Sequence, residues 1–319
     1  MKRNIYSYSK LWMILFVLMG AACTNQVEDA IPVSGQPIEF SVQSDWKEIP
    51  NTRSDDKTQF IGGDQIQIFG FHKSSQGADE NVQFMYDVDN HVDNRTLGQK
   101  VKFDGTNWNY TPKRFWPKYG LLDFYASYPC DSYNSSIHYD VEKKMMAYEN
   151  NLTQDLLYGL ATDWNREKNP TVSIWMVHAL AKVRIIFDTS SLGDIGQVTV
   201  SGYKAGHFSP MSNDHGVPGW IIDDVNTHIN ADFKYDEIHK DNSVTVTVFI
   251  LPEKITGLWM FSVTDGKEDA KKIDASNEIQ KYTFKAGKVY NLTISKSNGV
   301  RKKNTNSRSI AMSVRCVSE

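Results

Sequence analysis

The sequence lacks most of the features that mark an enzyme. It contains no Gly-x-Ser-x-Gly elbow, no His-Glu-x-x-His helix, no phosphate-binding glycine loop and no Cys-x-x-Cys pair. Three cysteines in 319 residues are too few for a disulfide framework. The formal net charge is −3 and no basic stripe is present, which argues against nucleic acid as a partner. We therefore expect no enzymatic activity, no cofactor and no metal site.

Long hydrophobic runs are also missing, apart from one at the N-terminus. Leu11–Met19 is apolar throughout, but it is shorter than the roughly 20 residues that span a bilayer. It follows three positive charges and precedes small residues, so residues 1–22 are interpreted as a signal peptide. The next residue, Cys23, resembles the lipidated cysteine of bacterial lipoproteins. Gly20 departs from the bulky residue usual at its position, so an ordinary secretory signal with a chance cysteine is the alternative.

Removal of the signal peptide defines the mature chain. Several acyl chains on Cys23 would anchor it stably, so we expect the protein to stay on a membrane unless it is cut from its anchor. Loss of three positive charges moves the net charge from −3 to −6, and 297 of the 319 residues remain. At roughly 150 residues each, they suggest about two domains. Cys130 and Cys316 could pair or stay reduced, because their spacing carries no geometric information.

Short segments with a period of two residues dominate the mature chain. In Val244–Ile250, every second residue is valine or isoleucine, which is typical of a β-strand with one buried face. Ile38–Val42 alternates in the same way, and Asp104-Gly105 predicts a hairpin turn. Thr153 is expected to cap a short helix over residues 154–160, which Gly159 weakens. Many short strands with few helices predict an all-β sandwich fold.

Composition divides the chain into five segments. Proline, glycine and polar residues mark the tether and the final linker, whereas strand patterns fill the two longer segments. The predicted segments are the signal peptide (1–22), a tether or propeptide with one strand (23–56), an N-terminal β-sandwich domain (57–168), a C-terminal β-sandwich domain (169–295), and a linker with a strand-like tail (296–319).

Six motifs, in order along the chain, resemble the fimbrillin (Mfa-like) family of Gram-negative anaerobes. Each is weak alone, since it consists of aromatic strand residues and turns, but their order and spacing fit together. They are Gly63–Gly70, Phe115–Pro117, Leu122–Pro129, Asp155–Tyr158, Val177–Val183 and Tyr282–Leu292.

The resemblance implies two tandem transthyretin-like β-sandwich domains, export as a lipoprotein to the exposed surface of the outer membrane, and polymerisation into a fimbria by β-strand donation, which supports cell adhesion. In this scheme a protease cuts after Arg53 and removes the strand Ile38–Val42. A neighbouring subunit then fills the groove, so other fimbrial subunits are the expected partners, with a host or bacterial surface ligand as a further one. The candidate donor strand is the tail, whose alternate residues are Ile310, Met312, Val314 and Cys316.

Other interpretations remain open. The tail can equally pair within its own domain, Arg53 can be simply a solvated arginine, and an uncut chain would act as an anchor or tip. A surface glycan-binding lipoprotein without polymerisation is the alternative function, because exposed aromatic rings stack on sugars. For that role the candidates are the tryptophans in loop-like stretches, Trp46, Trp164 and Trp220, whereas Trp116 and Trp175 are expected in the core.

Two polar patterns favour chemistry only weakly. Asp87, Asp89 and Asp93 suggest a calcium loop, but His91 and Val92 occupy positions that such a loop fills with a ligand and a glycine. His178 lies in an apolar strand pattern, where a histidine is most often a hydrogen-bonded core residue. An unrecognised hydrolase is a third hypothesis, which a cluster of titratable groups would favour.

Overall fold

The strand pattern of the sequence forms a structure made almost entirely of β-strands. The computed structural model describes residues 33–44, 59–74, 81–89, 91–92, 95–130, 137–167, 169–193, 195, 197–211, 217–234, 243–252, 260–264, 271–274, 283–296 and 312–318. Within these ranges there is one short helix, α1 (Thr189–Leu192), capped by the Asp188 side chain. The strands are β1 (Val33–Pro37), β2 (Glu39–Ser44), β3 (Gln65–Lys73), β4 (Asn81–Met85), β5 (His91–Val92), β6 (Arg95–Thr96), β7 (Gln99–Phe103), β8 (Trp108–Asn109), β9 (Phe115–Pro117), β10 (Leu121–Tyr128), β11 (Ile137–Asp140), β12 (Met145–Glu149), β13 (Leu157–Trp164), β14 (Thr171–His178), β15 (Ala181–Asp188), β16 (Gln197–Tyr203), β17 (Ala205–Phe208), β18 (Ile221–Ile222), β19 (His228–Lys234), β20 (Ser243–Ile250), β21 (Met260–Thr264), β22 (Lys271–Asp274), β23 (Val289–Lys296) and β24 (Met312–Ser318).

The strands form four main sheets and one two-stranded ribbon, β1 with β9. The first sheet has the order β2-β14-β13-β10-β3-β7-β8, with β4 beside β3, and the second has the order β18-β17-β12-β11-β6-β5. The third sheet is β20-β15-β23-β24 and the fourth is β19-β16-β21-β22. Neighbours are antiparallel except in two places, where β14 pairs in parallel with β2 and β15 with β23.

Each sheet buries its alternating apolar residues in a core. The first sheet packs one face on the second sheet, and Phe69, Tyr125 and Tyr158 lie between them. Its other face carries a second core that includes Ile38, Phe40 and Trp116. The third and fourth sheets enclose a third core, built from strands such as β20, in which Val244, Val246, Val248 and Ile250 are all buried. The predicted all-β sandwich fold is confirmed.

Hydrogen bonds join the two halves of the chain. β12 pairs with β17, and the buried side chain of Asn150 donates to the carbonyl oxygens of Tyr203 and Phe249. β13 and β14 are neighbours in the first sheet although they lie on opposite sides of the predicted boundary at residue 168. Where the chain divides into independently folding domains stays a prediction.

Two local predictions were wrong. The predicted helix over residues 154–160 does not form, because the chain enters β13 at Leu157 and is hydrogen-bonded on both sides by β10 and β14. The turn before it is fixed by Asn151, whose side-chain oxygen accepts hydrogen bonds from the N–H groups of Thr153 and Gln154.

The second wrong prediction is that Trp175 lies in the core. Ile174 and the residues two positions away from it on either side occupy the buried face of β14, so Trp175 lies on the other face and is 53% exposed.

Candidate functional site

The predicted N-terminal strand is β2, and it lies at the edge of the first sheet. Among the described strands it pairs only with β14, in parallel, from Glu39 opposite Thr171 to Ser44 opposite Met176. Ile38, Phe40 and Val42 are buried in the core, whereas Glu39, Ser41 and Gln43 are exposed. The alternation predicted from the sequence is therefore present: Ile38, just before the strand, and Phe40 and Val42 within it contribute three side chains to the core at an edge position.

Aromatic rings line the surface on which β2 packs. Phe40 packs against Phe124 at 5.3 Å between ring centroids, with the rings nearly perpendicular, and against Tyr110 at 5.7 Å. Both arrangements lie in the range that favours aromatic pairs. The contact residues come from β10 and from the loop after β8. We call the trough that holds the alternate side chains of β2 the β2 groove.

Hydrogen bonds hold the chain in place immediately before β2. The N–H of Ile38 donates to the carbonyl oxygen of Arg114 at 2.9 Å, and the Tyr110 hydroxyl donates to the carbonyl oxygen of Ile38 at 2.8 Å. Burial raises the pKa of Tyr110 to about 12, with a further contribution from the nearby charge of Glu39. Burial also lowers the pKa of Arg114. No sequence pattern marks these two residues, apart from an aromatic and a basic side chain that lie beside a strand.

The N-terminal processing residues lie outside the described residues. Cys23 precedes β1, and Arg53 falls in the connection between β2, which ends at Ser44, and β3, which begins at Gln65. A cut after Arg53 would separate β2 from every later strand without breaking any described element. Lipidation at Cys23 and cleavage at Arg53 stay predictions.

The predicted donor segment corresponds to β24. Its backbone pairs antiparallel with β23 of the same chain, with Val314 opposite Ile294 and Cys316 opposite Leu292. β24 is the last strand of the third sheet, while Ile310 and all side chains of the segment lie outside the described part. The β2 groove and the tail thus lie in different sheets, and both end strands occupy edges. Donation to another chain stays a prediction.

The remaining candidate residues do not converge on one site. His178 lies at the end of β14, partly exposed, and its Nδ1 is 2.5 Å from a carboxylate oxygen of Asp155. Asp87 and Asp89 lie in a turn, and Asp93 is outside the described residues. Among the described residues, no group of three metal-ligating side chains is present. No helix in that part of the chain has the length and apolar composition that crossing a membrane requires.

The tryptophans and cysteines have mixed positions. Trp116 is 1% exposed, as predicted, and Trp220, predicted in a loop, donates through its indole nitrogen to the carbonyl oxygen of Ala179. Trp164 is half-buried and donates a hydrogen bond from its indole nitrogen to the carbonyl oxygen of Asn169, while Trp46 lies outside the described residues.

Cys130 is buried, and the Cys316 side chain is outside the described part, so a disulfide between them stays a prediction.

Comparison with known proteins identifies the family. The model of the fimbrillin-like family matches residues 52–311, which is well over half of the chain. The chain belongs to the fimbrillin-like family. The match begins immediately before Arg53 and ends immediately before β24, so β2 and β24 lie just outside the matched region of this fimbrillin-like protein.

Several solved structures are similar to this chain. A candidate cell adhesion protein from Bacteroides uniformis matches with a TM-score of 0.50 at 17% identity, covering 90% of this chain and 98% of its own. A second one, from Bacteroides ovatus, matches with a TM-score of 0.49 at 14% identity, covering 88% and 96%. The fimbrial anchor protein Mfa2 from Porphyromonas gingivalis has a TM-score of 0.38 at 10% identity, covering 83% and 92%. A comparison with curated proteins gave no match.

Proposed function

We propose that this fimbrillin-like protein is a structural subunit of a surface fimbria, exported as a lipoprotein through Cys23 and polymerised by β-strand donation. The observation that carries the proposal is the position of β2. It is an edge strand, it fills an aromatic groove with Ile38, Phe40 and Val42, and it is followed by a connection that contains Arg53. Membership in the fimbrillin-like family supports this assignment.

Removal of β2 creates the driving force for assembly. Cleavage after Arg53 would leave the outer edge of β14 without a hydrogen-bonding partner and would expose Tyr110 and Phe124 in an empty β2 groove. Unpaired edges and exposed apolar troughs are costly, and an incoming strand satisfies both. Because the same surface receives a strand from a different chain, the contact does not close on itself and propagates as a filament.

The tail has the spacing that the β2 groove requires. Its apolar residues Ile310, Met312, Val314 and Cys316 recur at every second position, as Ile38, Phe40 and Val42 do in β2. Of the strands that the structure describes, only β23 pairs with β24, so the tail can leave the third sheet without disrupting a central strand. The polar stretch before it gives the tail reach toward a neighbouring subunit.

The subunit acts at the cell surface in this proposal. The lipid anchor on Cys23 holds the precursor at the outer membrane, and cleavage after Arg53 releases the chain from its anchor for incorporation into the fibre. A chain that escapes cleavage keeps its lipid and serves as an anchor or tip. The partners are other fimbrial subunits, and the fibre supports adhesion to a host or bacterial surface.

Deletion of residues 309–319 tests donation by the tail. We expect a folded monomer and no fibres by electron microscopy, because an edge strand is lost but the β2 groove is intact. The control replaces residues 300–308 with Gly and Ser at equal length, which keeps the tail and should preserve fibres. Normal fibres from the deletion would reject the tail as donor.

One observation favours a second function, the binding of surface glycans. Trp175 is 53% exposed on the outer face of β14, next to the edge that β2 occupies, and a tryptophan ring in this position can stack on a sugar. Saturable binding of the protein to a polysaccharide panel, lost in Trp175→Ala, would support this function. Fibres on cells without such binding would reject it.

A further inference from the structure

A buried lysine and two aspartates form a compact cluster at one end of the first sheet. The Lys73 amine is 2.9 Å from a carboxylate oxygen of Asp123 and 2.7 Å from one of Asp163. The side chains of Lys73 and Asp123 are 5% and 0% exposed, whereas Asp163 is 38% exposed. Charged pairs buried to this degree are rare and are costly to desolvate, so the cluster calls for an explanation.

The fold places the amine and the Asp123 carboxylate on the same face of two neighbouring strands. Asp123 on β10 is opposite Phe71 of β3, and Lys73 is two residues further along β3, which makes Lys73 and Asp123 diagonal neighbours. Their face is the one that packs on the second sheet, where Tyr125 and Phe71 are in contact. The reactive groups are therefore held in position by a packed aromatic core.

Asp163 supplies two further groups. The register of β10 and β13 shifts at this point, and Asp163 adopts a positive φ of 53°, which is uncommon for a residue other than glycine. In this conformation its N–H donates to Oδ1 of Asp123 at 2.8 Å, while its carboxylate contacts the amine. Backbone strain of this kind persists where surrounding structure enforces it and is concentrated at functional sites.

We propose that Lys73 and Asp123 condense to an intramolecular amide bond that cross-links β3 to β10, with Asp163 transferring the protons. The Nζ–Cγ bond forms and the bond from Cγ to Oδ2 breaks. Of the three ammonium protons, one stays on the amide nitrogen and two leave with Oδ2 as water. An ammonium and a carboxylate thus become an amide and one water, so atoms and charge balance without any co-reactant.

Both groups that Asp163 supplies have a role in this reaction. The N–H of Asp163 stabilises the negative charge that develops on Oδ1 of Asp123 when the amine adds, as an oxyanion-hole donor does. The Asp163 carboxylate accepts a proton from Nζ and returns it to Oδ2. Burial lowers the pKa of Lys73, but the hydrogen bonds and charges of both aspartates outweigh burial and raise it overall. The resting amine is therefore protonated, which is why a nearby proton acceptor is required.

The product removes the buried charges of the cluster. An amide replaces the ion pair in the core, and its oxygen still accepts the Asp163 N–H. The cross-link joins β3 and β10, two adjacent central strands of the first sheet, near their ends. The joined strands would resist separation under tension. The proposal does not depend on polymerisation, since the reaction takes place within one chain.

Intact-mass spectrometry of the purified, folded full chain tests the proposal. We expect a mass lower by one water than the sequence predicts for the same N-terminus. Peptide mapping should give a branched peptide that joins the segments around Lys73 and Asp123, with no tryptic cut after Lys73. A full-sequence mass, or a water loss that maps elsewhere, would overturn the proposal.

Three variants assign the roles. Lys73→Arg and Asp123→Ala should have the full-sequence mass, because each removes one reacting group. Asp163→Asn keeps the amine and the Asp123 carboxyl but removes the proton acceptor, and it should also have the full mass. Asp155→Asn, which alters the separate pair with His178, is the matched control and should lose water like the wild type. Water loss in Asp163→Asn would overturn the proton-transfer role.

Discussion

The Tyr110 hydroxyl donates a hydrogen bond of 2.8 Å to the carbonyl oxygen of Ile38, 72 residues away in sequence. This bond ties the N-terminal strand to the body of the first sheet at Ile38, the residue immediately before β2. Phe40, two residues later, packs on the same tyrosine ring. The environment of the Tyr110 side chain therefore depends on whether β2 is in place. The pKa of Tyr110 indicates whether the β2 groove is occupied.

Phe40→Ala should strongly destabilise the uncut chain. Phe40 is 6% exposed and lies on Phe124 and Tyr110, and truncation of a buried phenylalanine costs about 3–5 kcal/mol. Urea denaturation should show this loss in the free energy of unfolding. The neighbouring exposed residue provides the control, because Ser41→Ala should change stability by less than about 0.5 kcal/mol. Equal stability of the two variants would contradict the packing of β2 in the groove.

The Tyr110 pKa predicts an alkaline loss of stability. Its folded pKa is raised from 10.0 to about 12, so the neutral phenol is favoured in the folded state. The contribution of the neutral Tyr110 phenol to the free energy of unfolding is complete below pH 10. It decreases between pH 10 and 12, because there the unfolded chain releases the proton and the folded chain retains it. Two pKa units correspond to roughly 3 kcal/mol. Tyr110→Phe should lack this loss of stability between pH 10 and 12 when the alkaline unfolding of the variant is compared with that of the wild type.

The same titration distinguishes the cut from the uncut chain. A chain that begins at Ser54 lacks Ile38 and Glu39, which contribute burial and negative charge around the phenol. Its Tyr110 pKa should therefore lie closer to 10, as measured by phenolate absorbance against Tyr110→Phe. An unchanged pKa in this chain would mean that the groove is covered by another segment.

Alternation in the sequence predicted the half-buried strands well. Val244–Ile250 and Ile38–Val42 bury the residues that the pattern indicates, and the Asp104-Gly105 turn joins β7 to β8, where Phe103 is opposite Trp108. These elements have one apolar face, so the period of two residues is visible in the sequence. The prediction needed no tertiary information.

Strands buried on both faces, and residues that depend on distant partners, could not be predicted in this way. β13 carries apolar side chains to two cores, so its sequence has no alternation, and a helix was predicted at its start. Trp175 was assigned to the core because it lies inside a strand pattern, but its position on β14 directs it outward. Lys73, Asp123 and Asp163 come together only because β3, β10 and β13 are neighbours, which no local pattern indicates.

Arg53→Ala should leave the N-terminal strand attached to the mature protein. We expect a longer chain that begins at Cys23, retains its lipid and does not polymerise, because β2 continues to occupy the groove. Amino-terminal sequencing and mass spectrometry of the protein from outer membranes provide the measurement. Arg53→Lys tests whether a protease requires arginine or only a positive charge. Mature Arg53→Ala chains that still begin near residue 54 would place the cleavage elsewhere.

Val314→Pro should separate folding of the subunit from assembly of the fibre. Val314 lies in the middle of β24 and is opposite Ile294, and proline removes a backbone N–H that a strand needs for pairing. Since β24 is at the edge of the third sheet, the body of the protein should keep its fold and most of its circular dichroism. As a donor, however, the tail must form a ladder with β14 of the next subunit, and a proline at its centre should abolish fibres.

Val314→Ile is the matched control for this last variant. Isoleucine keeps a β-branched apolar side chain and the backbone N–H, so fibres should form at a rate near that of the wild type. The proline variant should also act as a recipient, since its β2 groove is unchanged. Mixed with wild-type subunits, it should therefore stop growth at the end where a donor is required. Fibres of normal length in such a mixture would show that a segment other than the tail fills the groove.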